Sequence, residues 1–346
     1  MNQQWLLDNA NIPIKYNILK NKQLHQELLE NVEVKYWLSL LKQKSMANIH
    51  GSFDYCFENI IGKLWILGLS KEIDEFDLNM KFVLDFLDKH VNKQYLEELS
   101  FSKIYAYRDY ETILASYLPF LGYYNEKSVQ YITNKRINIL YEFTKQKSYD
   151  IYVNGSKLKG VRKEWQPYVI NPSLYSDGNI ALPSIHDLIL FSGMYMYLDE
   201  ENKQKIETIV EWIFDERYDG IINNFGYFYF PDESYNAKAI LFKIYLPKLI
   251  DLDKRDQRGL LFTCIILSYF MSSRNSKWFQ SAMQYFNQFK TVDNRYCFPK
   301  HMITEKPDYY LIGGGHMNIG EDKRSKLYSE LISTYWMERI SKNLEN

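Results

Sequence analysis

The feature that most constrains the fold is a repeated alternation of apolar and amphipathic helix patterns. The run "FDYCFENIIGKLWILGL" (53–69) is apolar nearly all round after its first turn, and "FDLNMKFVLDFLDKHV" (76–91) keeps its apolar residues on one face. A helix that is apolar all round must be buried among other helices, whereas an amphipathic helix covers such a core from outside. The two segments therefore predict an inner helix followed by an outer helix.

The same pair recurs along the chain. Apolar runs over residues 108–124, 183–198 and 258–271 are each followed by an amphipathic segment, and a weaker copy begins at residues 233–246. The recurrence predicts an all-α fold, an α/α toroid of about five to six helix pairs. We expect one domain over residues 1–346, in which residues 1–48 close the ring and residues 49–345 form the repeated pairs. An open α-solenoid is the alternative, but the inner runs are too apolar to line its solvated concave face.

Charge and cysteine content narrow the classes of protein. The 42 lysines and arginines nearly balance the 43 aspartates and glutamates, so nothing indicates binding to nucleic acid. No apolar stretch approaches the ~18 residues that a membrane-spanning helix requires. Three widely separated cysteines indicate a reducing compartment, and the first residues do not have the pattern of a signal peptide. We therefore expect a cytoplasmic protein without a transmembrane segment.

Three segments resemble a known superfamily. The stretch "EWIFDERYDGIINNFGYFYFPD" (211–232) resembles the helix, Asp-Gly turn and short extended piece that close each repeat of the terpenoid cyclase and protein prenyltransferase superfamily. The stretches "WLLDNANIPIKYNIL" (5–19) and "SELISTYWMERI" (329–340) are similar to the first and last segments of bacterial proteins with prenyltransferase or squalene-cyclase repeats. The resemblance implies an enzyme that acts on a small apolar, isoprenoid substrate in an aromatic-lined central cavity.

The resemblance also implies a zinc site. Protein prenyltransferases of this superfamily bind zinc through an Asp-x-Cys pair at the start of one inner helix and a histidine at the start of a later one. Asp54, Cys56 and His186 match that pattern, and His50 could replace one of them. A carboxylate, a thiolate and an imidazole form a three-ligand zinc site with one open position. The alternative is that Asp54 caps a helix and Cys56 is a small buried apolar residue.

Carboxylates at inner-helix starts are the candidates for acid chemistry. Cyclases of this superfamily that begin by protonating their substrate use an Asp-x-Asp-Asp motif, and this chain has none. The nearest candidates are Asp109 and Glu111, in "RDYET", and Asp187, which follows His186. Arg108 favours the ionised form of Asp109, which is the wrong state for a general acid. We therefore assign these three residues to catalysis or to substrate orientation.

Aromatic residues and one glycine-rich segment are candidates for substrate binding. Aromatic faces stabilise carbocations, and they are equally suited to core packing. The candidates are Tyr110, Tyr117, Tyr195 and Tyr235, together with His316 in "IGGGHM" (312–317), the densest glycine segment. Two other functions stay open: a carbohydrate-active toroid enzyme, either a glycan hydrolase or a lyase, and a non-catalytic binding or scaffold protein.

Overall fold

The fold comes from a computed structural model, in which the chain divides into two compact units. The first unit contains residues 1–86, 117–125 and 246–346, and the second contains residues 87–116 and 126–245. The structure describes residues 2–92, 110–153, 158–175, 179–221, 225–230, 237–241 and 244–345. The single ring over residues 1–346 stays a prediction.

The described part of the chain is mostly helical, as the sequence predicts, with 60% of it in helices and almost no strands. The helices are α1 (Gln3–Asn9), α2 (Ile12–Leu19), α3 (His25–Glu30), α4 (Val32–Lys42), α5 (Phe57–Ile66), α6 (Asp74–Val91), α7 (residues 110–116), α8 (Lys127–Thr144), α9 (Ile185–Met194), α10 (Glu200–Phe214), α11 (Glu216–Asp219), α12 (Lys254–Leu267), α13 (Met271–Arg274), α14 (Lys277–Asn287), α15 (Lys300–Ile303) and α16 (Tyr328–Glu345). Strands β1 (Phe225–Tyr229) and β2 (Ala237–Leu241) pair antiparallel, with Phe225 opposite Leu241.

The alternation of buried and amphipathic helices is confirmed. Every residue of α5 is buried, and so are the residues of α9 from His186 onward and of α12 from Leu260 onward. The helices that follow them, α6, α10 and α14, expose one face. Side-chain caps fix the starts of several of these helices: the Asp199 carboxylate caps α10, and the Asp253 carboxylate caps α12.

Two sequence expectations about local structure are wrong. The weaker repeat copy at residues 233–246 contains β2 in place of a helix, because residues 237–241 pair with β1. The stretch "LHQELLENVEVKYWLSLLKQK" (24–44) has the periodicity of a single amphipathic surface helix, which the sequence therefore predicts, but it forms two helices, α3 and α4. Asn31 separates them, since its side chain accepts hydrogen bonds from the backbone N–H groups of Glu33 and Val34 and so begins a new helix.

Among the described residues, no helix combines the length and the apolar character needed to cross a membrane.

Candidate functional site

The candidate site is built around α5 in the first unit. This helix is surrounded by protein on all sides, yet it carries two charged residues, Glu58 and Lys63, and both are fully buried. A charged group in such a position needs a partner, because losing its water shell costs several kcal/mol. The partners of the two residues define two polar clusters along α5.

The segment 48–56 folds over the amino end of α5 and positions His50. The backbone N–H groups of Phe57 and Glu58 donate to the carbonyl oxygens of Asn48 and Ile49, at 2.9 and 3.1 Å. The first turn of α5 is therefore capped by backbone groups of the preceding segment. Cys56 is the residue before the first turn, and its thiol makes no cap hydrogen bond.

The first polar cluster, the Glu58 cluster, contains Glu58, His50 and Tyr117. His50 Nδ1 contacts the Glu58 carboxylate directly, and the His50 side chain is 37% exposed whereas that of Glu58 is 0% exposed. The His50 ring also lies against the Tyr310 ring, with 5.3 Å between centroids. His50 thus connects a buried carboxylate with the protein surface.

Tyr117 completes the Glu58 cluster with a buried hydroxyl that has no hydrogen-bond partner. Burial, and then the nearby Glu58 charge, raise the pKa of Tyr117 well above its usual value. Its ring lies close to α5 at Gly62, where a Cβ atom would come within 2.9 Å of the ring and 2.2 Å of the Leu311 side chain. Residues four apart share a face of a helix, so Glu58 and Gly62 turn toward the same side.

The second polar cluster, the Lys63 cluster, holds a lysine between two glutamates. Lys63 Nζ lies 2.9 Å from Glu33 Oε1 and 2.6 Å from Glu305 Oε1. It also donates hydrogen bonds to the carbonyl oxygens of His316 and Asn318, at 3.1 and 2.6 Å. Burial alone would lower the pKa of Lys63, but the two carboxylates raise it. Burial alone would raise the pKa of Glu305, but Lys63 and then His316 lower it to about 2. Burial raises the pKa of Glu33.

His316 and Asp54, both predicted site residues, lie beside the Lys63 cluster. His316 Nδ1 is 2.8 Å from Glu305 Oε2, and Nε2 donates to the Tyr309 carbonyl oxygen at 2.9 Å. Asp54 Oδ1 is 3.7 Å from His316 Nε2. Since both ring nitrogens of His316 already have partners and the residue is 1% exposed, the structure gives it a part in the network, and its role in substrate binding stays a prediction.

The glycine-rich segment joins the amino-terminal half of α12 to α5. Gly314 has φ +76°, and a Cβ atom there would lie 2.2 Å from the Arg258 carbonyl oxygen. Leu311 N–H donates to Asn59 Oδ1 at 2.9 Å, which ties the segment to α5. Only glycine allows this close approach at a positive φ, so Gly314 serves packing of the segment onto α12.

Two consecutive cations of α8 form ion pairs with the predicted acids Glu111 and Asp187 of the second unit. Glu111 Oε2 is 3.0 Å from Lys135 Nζ. Asp187 accepts from Arg136 Nε at 2.7 Å and Nη2 at 3.0 Å, and it also closes a capping box with Ser184 at the start of α9. The Asp187 carboxylate therefore fixes the amino end of α9 against α8, and catalysis by Glu111 or Asp187 stays a prediction.

The remaining predicted residues are spread over different places. Tyr110 lies at the described start of α7 and is 37% exposed. Tyr195 follows the carboxyl end of α9 and donates to Glu207, so it lies at the other end of that helix from Asp187. Asp109 and Tyr235 lie outside the described residues.

The predicted zinc ligands are divided between the two units. Asp54 and Cys56 belong to the first unit and His186 to the second. The Asp54 carboxylate already accepts from Tyr36 Oη at 3.2 Å and from Asp308 N at 3.0 Å. Burial raises the pKa of the Cys56 thiol, so the surrounding protein disfavours its thiolate form. Zinc at these residues stays a prediction.

Glu58 and Lys63 are not among the residues that the sequence pattern predicts for a site. Both stand in "FENIIGKLWILGL", whose pattern is apolar nearly all round, and a charged residue in a helix without a polar face is itself the signal of a buried polar site. His50 was considered only as a metal ligand, whereas it contacts Glu58.

Comparisons with protein-family models, with curated proteins and with solved structures find no match for the chain.

Proposed function

We propose that this protein is an enzyme that transfers a proton to or from an apolar, isoprenoid-type substrate. Glu58 is the acid–base group, His50 connects it with solvent, and Tyr117 donates a hydrogen bond to the substrate or to Glu58 as charge moves. An α/α toroid is the proposed arrangement of the repeated helix pairs. The observation that carries the proposal is the Tyr117 hydroxyl, which is buried near Glu58 without a partner.

An unpaired buried hydroxyl is unfavourable in a protein interior. Leaving such a group without a hydrogen bond costs about 1–3 kcal/mol, and phenylalanine would remove that cost at the same volume. Buried polar groups without partners are rare and often belong to sites where a ligand or a reacting group supplies the partner. Tyr117 fits that description because Glu58, an ionisable group, is close to it.

The contrast in exposure between His50 and Glu58 supports a proton path. A buried acid needs a route by which protons enter and leave, and histidine is the side chain suited to relay them near neutral pH. Protonated Glu58 would donate its proton to a substrate double bond and leave a carbocation. The Glu58 carboxylate would then remove a proton from a neighbouring carbon, which restores both a double bond and the acid.

Aromatic rings next to Tyr117 support a substrate that carries positive charge during the reaction. The Tyr117 and Trp65 ring centroids are 5.8 Å apart, and Trp65 stacks on Phe120 at 4.5 Å. The faces of such rings attract cations. The substrate class itself comes from the superfamily resemblance.

The test is turnover of squalene and of geranylgeranyl diphosphate in heavy water, followed by mass spectrometry of the products. We expect products that contain solvent deuterium, and a loss of about 10²–10⁴-fold in rate for Glu58→Gln, since a positioned acid–base group contributes that much. His50→Gln should slow the reaction and change its pH dependence. Glu142→Gln, at a 65% exposed side chain paired with Lys145, is the matched control and should leave the rate unchanged.

Three results would overturn the proposal or redirect it. Turnover without solvent deuterium would exclude proton transfer by Glu58. Turnover of oligosaccharides in place of isoprenoids would favour the carbohydrate-active alternative. If no substrate of either class reacts, and the Glu58→Gln variant differs from the wild type only in stability, the protein is a non-catalytic binding protein.

Zinc at Asp54, Cys56 and His186 is a separate proposal with its own measurement. Elemental mass spectrometry of chelator-washed protein should find stoichiometric zinc in the wild type and none in Cys56→Ala or His186→Ala. Wild-type protein without zinc would exclude this site and would leave the Glu58 chemistry unaffected.

A further inference from the structure

A group of acidic residues lies beside the amino end of α4. Glu33 and Glu305 share Lys63 as a partner, and the side chains of both glutamates are 15% exposed. Glu321 is 6% exposed, and in the part of the chain that the structure describes no lysine or arginine forms an ion pair with it. Even with His316 protonated, the three carboxylates would outnumber the two cations, so the group holds excess negative charge.

Asn318 connects two members of this group. Its Nδ2 donates to Glu33 Oε2 at 2.8 Å and to the backbone carbonyl oxygen of Glu321 at 3.3 Å. The carboxamide of Asn318 therefore lies between the two glutamates, and its oxygen belongs to the same group. Asn318 is only 4% exposed, and its Oδ1 is buried without a hydrogen-bond partner among the described residues.

Glu33 Oε1 is a second buried acceptor to which no described group donates a hydrogen bond. It lies 2.9 Å from Lys63 Nζ, but Lys63 donates to Glu305 Oε1 and to two backbone carbonyl oxygens. An ammonium group has three N–H donors, so these bonds use all of them. Glu33 Oε1 is therefore attracted by the charge of Lys63 without receiving a hydrogen bond from it.

The protein itself does not compensate the ionised forms of two of these glutamates. Burial raises the pKa of Glu33. Burial also raises the pKa of Glu321 to about 7, although the hydrogen bond from Asn11 and the charge of Lys15 act in the opposite direction. Two buried oxygen acceptors without donors therefore lie beside carboxylates that lack positive charge, and a bound cation would satisfy both.

We propose that Glu33 Oε1 and Asn318 Oδ1 bind a monovalent metal cation, potassium or sodium, and that the Glu321 carboxylate adds negative charge to the site. Carboxylate, amide and carbonyl oxygens are the ligands that hard cations prefer. A single charge is favoured because Lys63 lies 2.9 Å from Glu33 Oε1, and its repulsion would be twice as large for a divalent ion. The site lies outside the Glu58 cluster, so it stands or fails independently of the proton-transfer reaction.

The test is thermal unfolding of the full chain in potassium chloride, sodium chloride and choline chloride at equal ionic strength. Choline is too large for a site between buried oxygens, so it supplies the matched background. We expect potassium or sodium to raise the melting temperature saturably, by about 2 °C or more over choline, because an ion that binds only the folded state stabilises it. The ion with the lower half-saturating concentration is the preferred one.

Two results with the wild type would overturn the proposal. Equal melting temperatures in the three salts would exclude a bound monovalent cation and leave a water molecule as the partner of the two acceptors. A rise with calcium or magnesium chloride, and none with potassium or sodium, would exclude the assignment to a monovalent ion.

Two variants test the residues themselves. Glu321→Gln keeps the side-chain shape and an oxygen for the hydrogen bond that Asn11 N donates at 2.6 Å, and it should raise the half-saturating concentration about tenfold, since it removes one nearby charge. Asn318→Leu removes the amide oxygen at nearly the same volume and should abolish the rise. Glu142→Gln, at a 65% exposed side chain, is the control and should respond like the wild type.

The Glu321→Gln variant keeps the test decisive if Asn318→Leu does not fold. An unchanged half-saturating concentration in Glu321→Gln would overturn the proposal. A folded Asn318→Leu variant that responds to potassium or sodium like the wild type would overturn it as well.

Discussion

Replacement of Lys63 by methionine tests whether the buried charges of the Lys63 cluster depend on one another. Methionine nearly preserves the volume of the side chain and removes the ammonium group. Glu33 and Glu305 would then lose the cation that lies 2.9 and 2.6 Å from their oxygens, and both side chains are only 15% exposed. Breaking a buried ion pair by removing one partner costs about 3–5 kcal/mol. Against a total stability of ~5–15 kcal/mol, that loss is large.

The pH dependence supplies a sharper test than the loss alone. The pKa of Glu305 falls from 4.5 to about 2 in the folded protein, because Lys63 and then His316 overcome the effect of burial. A lowered carboxyl pKa stabilises the fold above pH 4.5, and that contribution, roughly 3 kcal/mol, is lost as the pH falls toward 2. In Lys63→Met, burial disfavours the ionised form of both glutamates and no ammonium group offsets it, so their pKa values rise. Protonation of the two glutamates then removes the buried negative charges and stabilises the folded variant. The stability difference from the wild type should therefore shrink as the pH falls below neutral.

The assay is urea unfolding, followed by tryptophan fluorescence, at pH 7 and near pH 4.5. The matched control is Lys42→Met, since Lys42 pairs with Glu75 at 2.6 Å but their side chains are 48% and 44% exposed. An exposed pair contributes only about 0–1 kcal/mol. Two results would refute the reasoning: a loss for Lys63→Met no larger than the control, or a loss that stays the same at both pH values with unchanged m-values.

Three further predictions concern stability. Tyr117→Phe should raise the free energy of unfolding in chemical denaturation by about 1–3 kcal/mol, because it removes an unpaired buried hydroxyl; a decrease would contradict this. Tyr218→Phe should lower the free energy of unfolding by a similar amount, because the Tyr218 hydroxyl accepts from the buried backbone N–H of Ile244 at 2.7 Å; an increase would contradict this. Burial raises the pKa of Glu321 to about 7, so stability should fall as pH rises from 4.5 to 7, and Glu321→Gln should flatten that part of the stability curve. Gly314→Ala should lower the melting temperature, since φ is +76° and the new methyl would lie 2.2 Å from a carbonyl oxygen of α12; an unchanged melting temperature would show that the segment does not pack there.

The sequence predicted some local elements correctly and others wrongly. Residues 237–241 have an apolar pattern that also suits a helix, but their pairing with β1 makes them a strand. Asn31 is a strong helix-capping residue within an otherwise periodic stretch, and periodicity alone did not reveal the break. The expectations for Asp54, Cys56 and His186 rest on a resemblance, and no contact described within either unit tests them.

The sequence by itself determined the alternation of buried and amphipathic helices, because helix periodicity is a local property that neighbouring residues carry. The tertiary structure alone decided what surrounds the charged residues of α5. Lys63 and Glu305 are 242 residues apart in the chain, and no local pattern in either segment names the other as its partner. The free-energy cost of burying a charge depends on the groups that surround it, and these come from distant helices. The same lysine is an ordinary charge when exposed to water, but inside the protein it needs carboxylate partners to offset the loss of its water shell.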